Sequence, residues 1–160
     1  MPGPSSSGAS RRANPMQTSK RKRLSKGMAV LVTSVAMVFI IPAVGLSIDA
    51  GMLYAIKAKL SAASDAASLA AARSLSVGLT IDEQRANAIA TAQRFFRANF
   101  PDGYMGTTNS TVSVTVDETQ LKVRTVQTVA SADAPSYFMK FLGFGNTTVR
   151  AEGKASRRDV

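Results

Sequence analysis

The sequence contains no cysteine and no histidine among its 160 residues. Without cysteine the chain has no disulfide framework and no thiolate metal site. Without histidine it lacks the most common general base and the most common metal ligand. A Ser-His-Asp triad is therefore excluded and a metalloenzyme is disfavoured. We predict no enzymatic activity, no cofactor, and no catalytic, cofactor-binding or metal-binding residues.

Acidic residues are missing from the first 48 positions, so the charge is unevenly spread. The formal net charge is +10, and residues 1–26 contain seven Lys and Arg. Residues 49–160 contain 13 basic and 10 acidic residues and no long basic stripe. This distribution disfavours a nucleic-acid partner. A nuclear-localisation or DNA-binding signal in SKRKR, residues 19–23, is the alternative to a membrane-topology signal.

No charge occurs between Lys26 and Asp49, where the chain reads GMAVLVTSVAMVFIIPAVGLSI. We call these 22 residues, 27–48, the apolar run. About 20 helical residues cross a bilayer core. We interpret residues 24–48 as a transmembrane signal-anchor that is retained. A buried core helix and a cleaved signal peptide are the alternatives, but the run is long for either.

Two features of the apolar run bear on its helix. Pro42 removes one helix hydrogen bond and is predicted to bend the span. The hydroxyl groups of Thr33, Ser34 and Ser47 are compatible with a bilayer because they can bond back to helix carbonyls.

The flanks of the apolar run predict its orientation. Residues 1–23 are rich in Pro, Gly, Ser and charge, and we expect a disordered basic tail. The positive-inside rule places this tail in the cytoplasm. Residues 49–156 then form a domain in the periplasm or outside the cell, with a solvated tail at 157–160. The localisation predicted is the cytoplasmic (inner) membrane of a bacterium, crossed once.

A helix is predicted to continue beyond the apolar run. Apolar residues keep helical spacing through Leu53, Ile56, Leu60, Ala63, Ala67 and Ala70, and nothing breaks the helix before about Gly78. Ten of the 25 residues 48–72 are alanine, which suits close contact between helices. Asp49 is expected to mark the membrane boundary, and Asp65 to make a salt bridge or a helix-surface contact.

A second, amphipathic helix of about 18 residues is predicted next. Thr80 and Glu83 have the spacing of a capping box, and Pro101 follows the expected end near Asn99. Its predicted apolar face comprises Ile81, Ala88, Ile89, Ala92, Phe95 and Phe96.

After a turn-rich loop at 100–110, the apolar period changes to two. We predict a hairpin of Val112–Val116 with Leu121–Val129, and a bulge or face switch between Val123 and Val126. A short helix at 135–142 should carry Tyr137, Phe138, Phe141 and Leu142 into the core, with Gly143 ending it. A last strand should place Val149, Ala151 and Gly153 on one face. The fold class predicted is α+β: a small antiparallel sheet packed on one face by helices.

The chain resembles the TadE/TadG-like family of Flp (Tad) pilus-assembly proteins. In that family a basic residue and Gly precede an apolar span, and Asp, Gly and Tyr, a Lys/Arg step and an Ala-rich segment follow. The matching positions here are Lys26, Gly27, Pro42, Asp49, Gly51, Tyr54, Lys57, Leu60, Asp65 and the alanines from Ala62 to Ala72. The later course, through residue 156, also resembles the family.

The chain departs from related proteins in two ways. Longer TadG-type proteins can carry a von Willebrand-like domain with an Asp-x-Ser-x-Ser metal motif, and this sequence has no such motif. Type IV-like pilins are usually cut after a Gly and carry Glu five residues later. The fifth residue after Gly27 is Val32, so whether Gly27 is a prepilin-peptidase site stays open.

Two functions remain open from the sequence. The resemblance implies a membrane-anchored envelope component of a Tad/Flp pilus assembly or secretion system. Its partners would be other membrane proteins or pilin subunits of that system, packed helix against helix, and the lipid bilayer. The alternative is a signal-anchored module that binds or senses a small ligand in an apolar pocket lined by Phe95, Phe96, Tyr104, Tyr137 and Phe138.

Overall fold

The computed structural model describes residues 18–118 and 123–158, with side chains from residue 27 onward. Two helices are followed by a three-stranded antiparallel sheet of order β1-β2-β3. The elements are α1 (Thr18–Ser74), α2 (Ile81–Asn99), β1 (Thr108–Glu118), β2 (Val123–Ala134) and β3 (Thr147–Arg158), with 3₁₀ turns at Tyr104–Gly106 and Met139–Leu142. The predicted α+β class, with a long N-terminal helix and a short helix before the last strand, is confirmed.

The chain divides into two compact units, Met1–Ile41 and Pro42–Val160. Within the first unit, α1 already begins at Thr18. Residues 18–23 are therefore helical, although the sequence assigned them to a disordered tail. The rest of that predicted tail, residues 1–17, lies outside the described residues. The hydroxyl of Ser34 donates to the Val30 carbonyl at 2.9 Å, as expected for a polar side chain in an apolar helix.

The side chains of the apolar run are exposed. Apart from Ala36 and Gly45, every residue of the run is exposed. Helices of soluble cores bury such residues, so the alternative of a core helix does not fit. Among the residues that the structure describes, one helix is long and apolar enough to cross a membrane, with its candidate span in Gly27–Ser74.

In the second unit, the alanine-rich part of α1 packs across the sheet. Its fully buried residues Ile56, Leu60, Ala63 and Ala67 belong to one core cluster with Val126 and Ala151 of the sheet. Helix and sheet approach closely at Gly153, where a Cβ would collide with the Ser64 carbonyl group and lie 2.7 Å from the Asp65 nitrogen. Small side chains on both partners therefore bring helix and sheet together.

A buried hydroxyl pair lies at this helix–sheet contact. The Ser68 hydroxyl donates to the Thr128 hydroxyl at 2.8 Å, and both side chains are fully buried. Each polar group thereby has a partner in the core, as buried polar groups require.

The second helix begins with the predicted capping box. The Thr80 hydroxyl accepts from the Glu83 backbone N–H at 3.2 Å, and the Glu83 carboxylate accepts from the Thr80 N–H at 3.2 Å. Ala88, Ala92 and Phe96 are buried. The predicted apolar face was too wide, however, because Ile81 is 60% exposed and Phe95 is 43% exposed.

The predicted hairpin is confirmed, and the structure gives its register: Val112 lies opposite Ala130 and Val116 opposite Val126. The predicted bulge between Val123 and Val126 was wrong. The register there is continuous, and the irregularity lies between Thr108 and Thr111 instead. In β2 the buried positions alternate from Val126 to Ala134. Leu121, which the sequence pattern assigned to the hairpin, lies outside the described residues.

Arg124 explains the apparent break in the apolar pattern. It lies two residues before Val126 and therefore on the core-facing side of β2. Its guanidinium donates to the Leu75 carbonyl at 3.3 Å and to the Gln84 side chain at 2.6 Å. A charged residue can occupy this position because it binds the C-terminal end of α1.

The last strand extends further than predicted. Val149, Ala151 and Gly153 are buried on one face, as expected. β3 continues to Arg158, and its last two residues, 157 and 158, pair with Arg124 and Val123. They belong to the sheet rather than to a tail, and residues 159–160 lie outside the described residues.

The other face of the sheet is polar. Cross-strand hydrogen bonds join Thr111 to Ser131 at 2.8 Å and Gln127 to Glu152 at 2.7 Å. At the edge of this face, the Thr148 hydroxyl donates to the Asp133 carboxylate at 2.6 Å, and the Asn109 amide donates to the same carboxylate at 2.9 Å. These two donors hold the pKa of Asp133 below its usual value, with Thr148 the larger influence.

We expect Asp133 to make the domain sensitive to acid. A carboxylate with a lowered folded-state pKa stabilises the fold above its unfolded pKa, and this contribution is lost as pH falls through the folded-state pKa. The native protein should therefore lose more thermal stability than Asp133→Asn when the pH falls from neutral to below about 3.8. Thermal unfolding against pH measures this, with Asp117→Asn as a control on β1. Parallel curves for all three proteins would contradict it.

Candidate functional site

The first charged residue after the apolar run, Asp49, is buried in the domain. Its side chain is 1% exposed. Three consecutive backbone N–H groups donate to its carboxylate, at 3.2, 2.9 and 2.7 Å, from Tyr137, Phe138 and Met139. The sequence predicted only that Asp49 marks the membrane boundary. The structure shows that it binds a segment about 90 residues away in the chain.

One helical turn before Asp49, Gly45 provides the second contact with this segment. A Cβ at Gly45 would lie 2.6 Å from Cγ of Phe138. The Phe138 ring therefore rests directly on the helix backbone, and only glycine leaves room for it. Gly45 belongs to the apolar run, so the segment contacts the last turns of that run.

We name residues 137–144 the aromatic loop. It contains Tyr137, Phe138, Met139, Lys140, Phe141, Leu142, Gly143 and Phe144. Its 3₁₀ turn, Met139–Leu142, ends at Gly143 with φ 87°, as the predicted glycine stop requires.

The predicted burial of the aromatic loop was wrong. Phe141 is 89% exposed, and Tyr137, Leu142 and Phe144 are more than half exposed. The Asp49 carboxylate binds the loop backbone, and the core beneath the sheet is filled by α1 and α2 instead. The loop's apolar side chains consequently lie on the surface beside the end of the apolar run.

A second exposed feature lies on α1 beyond Asp49. Six exposed residues recur every three or four positions and so share one face of the helix. We name them the outward stripe: Gly51, Tyr54, Ala58, Ala62, Asp65 and Leu69. Tyr54 is 77% exposed and Leu69 is 50% exposed. Asp65 is thus a surface residue, whereas Ala63 and Ala67 face the protein's own sheet.

The five aromatic residues proposed for a ligand pocket do not meet in one cavity. Phe95 lines an open groove of about 570 Å³ with Leu69 and Arg73. Phe96 instead stacks on Phe100 in the core, with ring centroids 5.9 Å apart, and Tyr104 packs against Phe100. Tyr137 and Phe138 belong to the aromatic loop.

Within residues 18–118 and 123–158, no three carboxylates lie close enough together to hold a metal ion.

Sequence reasoning missed the contact between Asp49 and the aromatic loop because its partners are backbone groups far away in the chain. The signals available were an acid at the very end of an apolar run and a cluster of four aromatic residues within eight positions. Neither signal specifies the other as its partner.

Comparison with known proteins agrees with the resemblance drawn from the sequence. No curated protein and no solved structure matches the chain. The family model for Tad, described as Flp pilus-assembly TadE/G-like, matches residues 27–74. This match covers the apolar run, Asp49 and the outward stripe. Over residues 27–74 the chain is therefore similar to the TadE/G-like proteins of Flp pilus assembly, as the resemblance in its sequence predicted.

Proposed function

We propose that this protein is a membrane-anchored envelope component of a Tad/Flp-type pilus assembly or secretion system. It acts by packing its helix against helices of partner subunits. The observation that carries the proposal is the outward stripe, which lies within the segment matched by the family model. The role is structural, without catalysis.

The outward stripe has the composition of a helix-packing surface. Gly51, Ala58 and Ala62 are small, and small residues let two helices approach closely. Tyr54 and Leu69 add exposed apolar area beside them. The stripe follows directly from the apolar run, so one partner helix could contact the protein both in lipid and just above it.

The proposed orientation follows from charge. The seven basic residues before the apolar run favour a cytoplasmic N-terminus. The domain that begins at Asp49 then lies in the periplasm or outside the cell, where pilus subunits assemble. Partners are other membrane proteins or pilin subunits of the same system, and neither nucleic acid nor metal is required.

Cysteine crosslinking tests this proposal cleanly because the chain has no cysteine of its own. We expect Ala58→Cys and Ala62→Cys, carrying a photoreactive maleimide, to crosslink to another subunit of the pilus system in cell membranes. A membrane-impermeant maleimide should label both from outside in spheroplasts. Mass spectrometry of the adduct identifies the partner.

Two matched variants control the experiment. Ala63→Cys lies on the opposite, buried face of the same helix, and Ser113→Cys lies on the open face of the sheet. Neither should give the adduct. The same adduct from all four variants, or none from the outward stripe, would refute packing through this surface. Labelling only after membrane disruption would refute the orientation.

A further inference from the structure

We propose that the aromatic loop is a lipid-binding surface, which lies in the headgroup region of the same bilayer that the apolar run crosses. The loop would hold the domain against the membrane at a fixed height. This inference rests on the membrane anchor of the proposed function, but not on any pilus partner.

The first argument is continuity with the apolar run. Phe138 packs on Gly45, which lies three residues before the end of the run and thus about 4.5 Å along the helix. Asp49, the first residue after the run, binds the backbone of the loop. If the run occupies the hydrocarbon core, these two contacts place the loop at the boundary between hydrocarbon and headgroups.

The second argument is the exposure and composition of the loop. Exposed apolar side chains are concentrated in Tyr137, Phe141, Leu142 and Phe144, with Phe141 almost fully accessible. Contiguous exposed apolar patches of this kind mark interaction surfaces. Tyrosine is enriched at membrane interfaces, where an apolar ring lies in the lipid and a polar end in water.

The third argument is charge. The only ionisable side chains within residues 137–144 are Tyr137 and Lys140. Lysine can bury its stem along apolar surface and keep its ammonium among lipid headgroups. The acid of this region, Asp49, is turned inward and bound by backbone N–H groups. The loop therefore presents apolar and cationic groups to a bilayer and hides the carboxylate that anionic lipid would repel.

The rigidity of the attachment also matters. Three N–H groups bound to one carboxylate, and a phenyl ring seated on glycine, fix the loop to the helix that crosses the membrane. The loop is consequently preorganised beside the last turn of the apolar run, and binding lipid costs it little conformational entropy.

Tryptophan fluorescence tests the inference, because the chain contains no tryptophan. The full-length variant Phe141→Trp is reconstituted into vesicles of phosphatidylcholine and phosphatidylglycerol, with and without brominated acyl chains. We expect its emission to be blue-shifted and quenched several-fold more by brominated lipid than that of Leu79→Trp. Leu79 is the matched control, since it is 98% exposed and lies beyond the end of α1. Phe144→Trp should repeat the result.

Every other outcome overturns the inference. Water-like emission that brominated lipid does not quench would place the loop in solvent. Blue-shifted emission without quenching by brominated lipid would mean that protein, such as a second copy of this chain, covers the loop. Flotation of the vesicles reports the anchor separately: if the protein did not float, both this inference and the membrane anchor would fail. If it floated and Phe141→Trp stayed unquenched, the anchor would stand alone.

Discussion

Asp49→Ala is expected to release the aromatic loop from α1 and expose it to protease. The substitution leaves three backbone N–H groups without their acceptor, and hydrogen bonds to a charged group are among the stronger ones in proteins. Losing them should raise the population of the open loop by about tenfold or more. The rate of trypsin cleavage after the exposed residue Lys140, in detergent-solubilised protein, measures the population of the open loop.

Asp65→Ala is the matched control for this experiment, because Asp65 lies on the same helix but on its exposed face. Asp49→Asn should be intermediate, since the amide keeps one acceptor oxygen but loses the charge. If Asp49→Ala resisted trypsin as well as Asp65→Ala does, the three hydrogen bonds would not hold the loop.

Gly153→Ala should destabilise the domain. Among the glycines of the sheet and loops whose φ is not positive, Gly153 is the one at which an added methyl group should cost most. Its Cβ would meet the backbone of α1 at Ser64 and Asp65, which has no flexible end that could move away. Overpacking of this kind costs roughly 1–3 kcal/mol, and Gly153→Val should cost more. Urea unfolding followed by circular dichroism measures the loss.

Gly145→Ala provides the matched glycine-to-alanine control, because nothing lies within 4 Å of a Cβ at that position. Both substitutions reduce the entropy of the unfolded chain similarly, so the difference between them isolates the helix–sheet collision. Equal urea midpoints for the two variants would show that α1 and β3 do not approach as closely as the structure indicates.

The elements with strong local signals were predictable from sequence. The capping box of Thr80 and Glu83 and the period-two valines of β1 need only neighbours in the chain, and both are confirmed. The long α1 was predictable because uncharged and alanine-rich segments favour helix throughout. The family resemblance in residues 27–74 was visible because it, too, is carried by a local sequence pattern.

Features that depend on distant partners were not predictable. The valine pattern of β2 suggested a bulge, because the side chain of Arg124 could not be known to reach the end of α1. The aromatic loop was assigned to the core from composition alone. Composition cannot distinguish an apolar residue covered by protein from one covered by lipid.

The alanine-rich helix shows the same division. Its sequence indicated close packing, yet it could not indicate which surface would be the partner. The structure directs Ala63 and Ala67 to the sheet, and leaves Ala58 and Ala62 facing outward.

The membrane-crossing candidate, the helix that continues from it and the absence of histidine and cysteine chemistry all follow from composition and local spacing, so they can be read from the amino-acid sequence. The binding of the aromatic loop by Asp49, and the exposure of that loop at the end of the apolar run, become visible in the folded chain. A carboxylate's partners and a phenyl ring's surroundings are set by segments that meet once the chain has folded, and local spacing does not specify them.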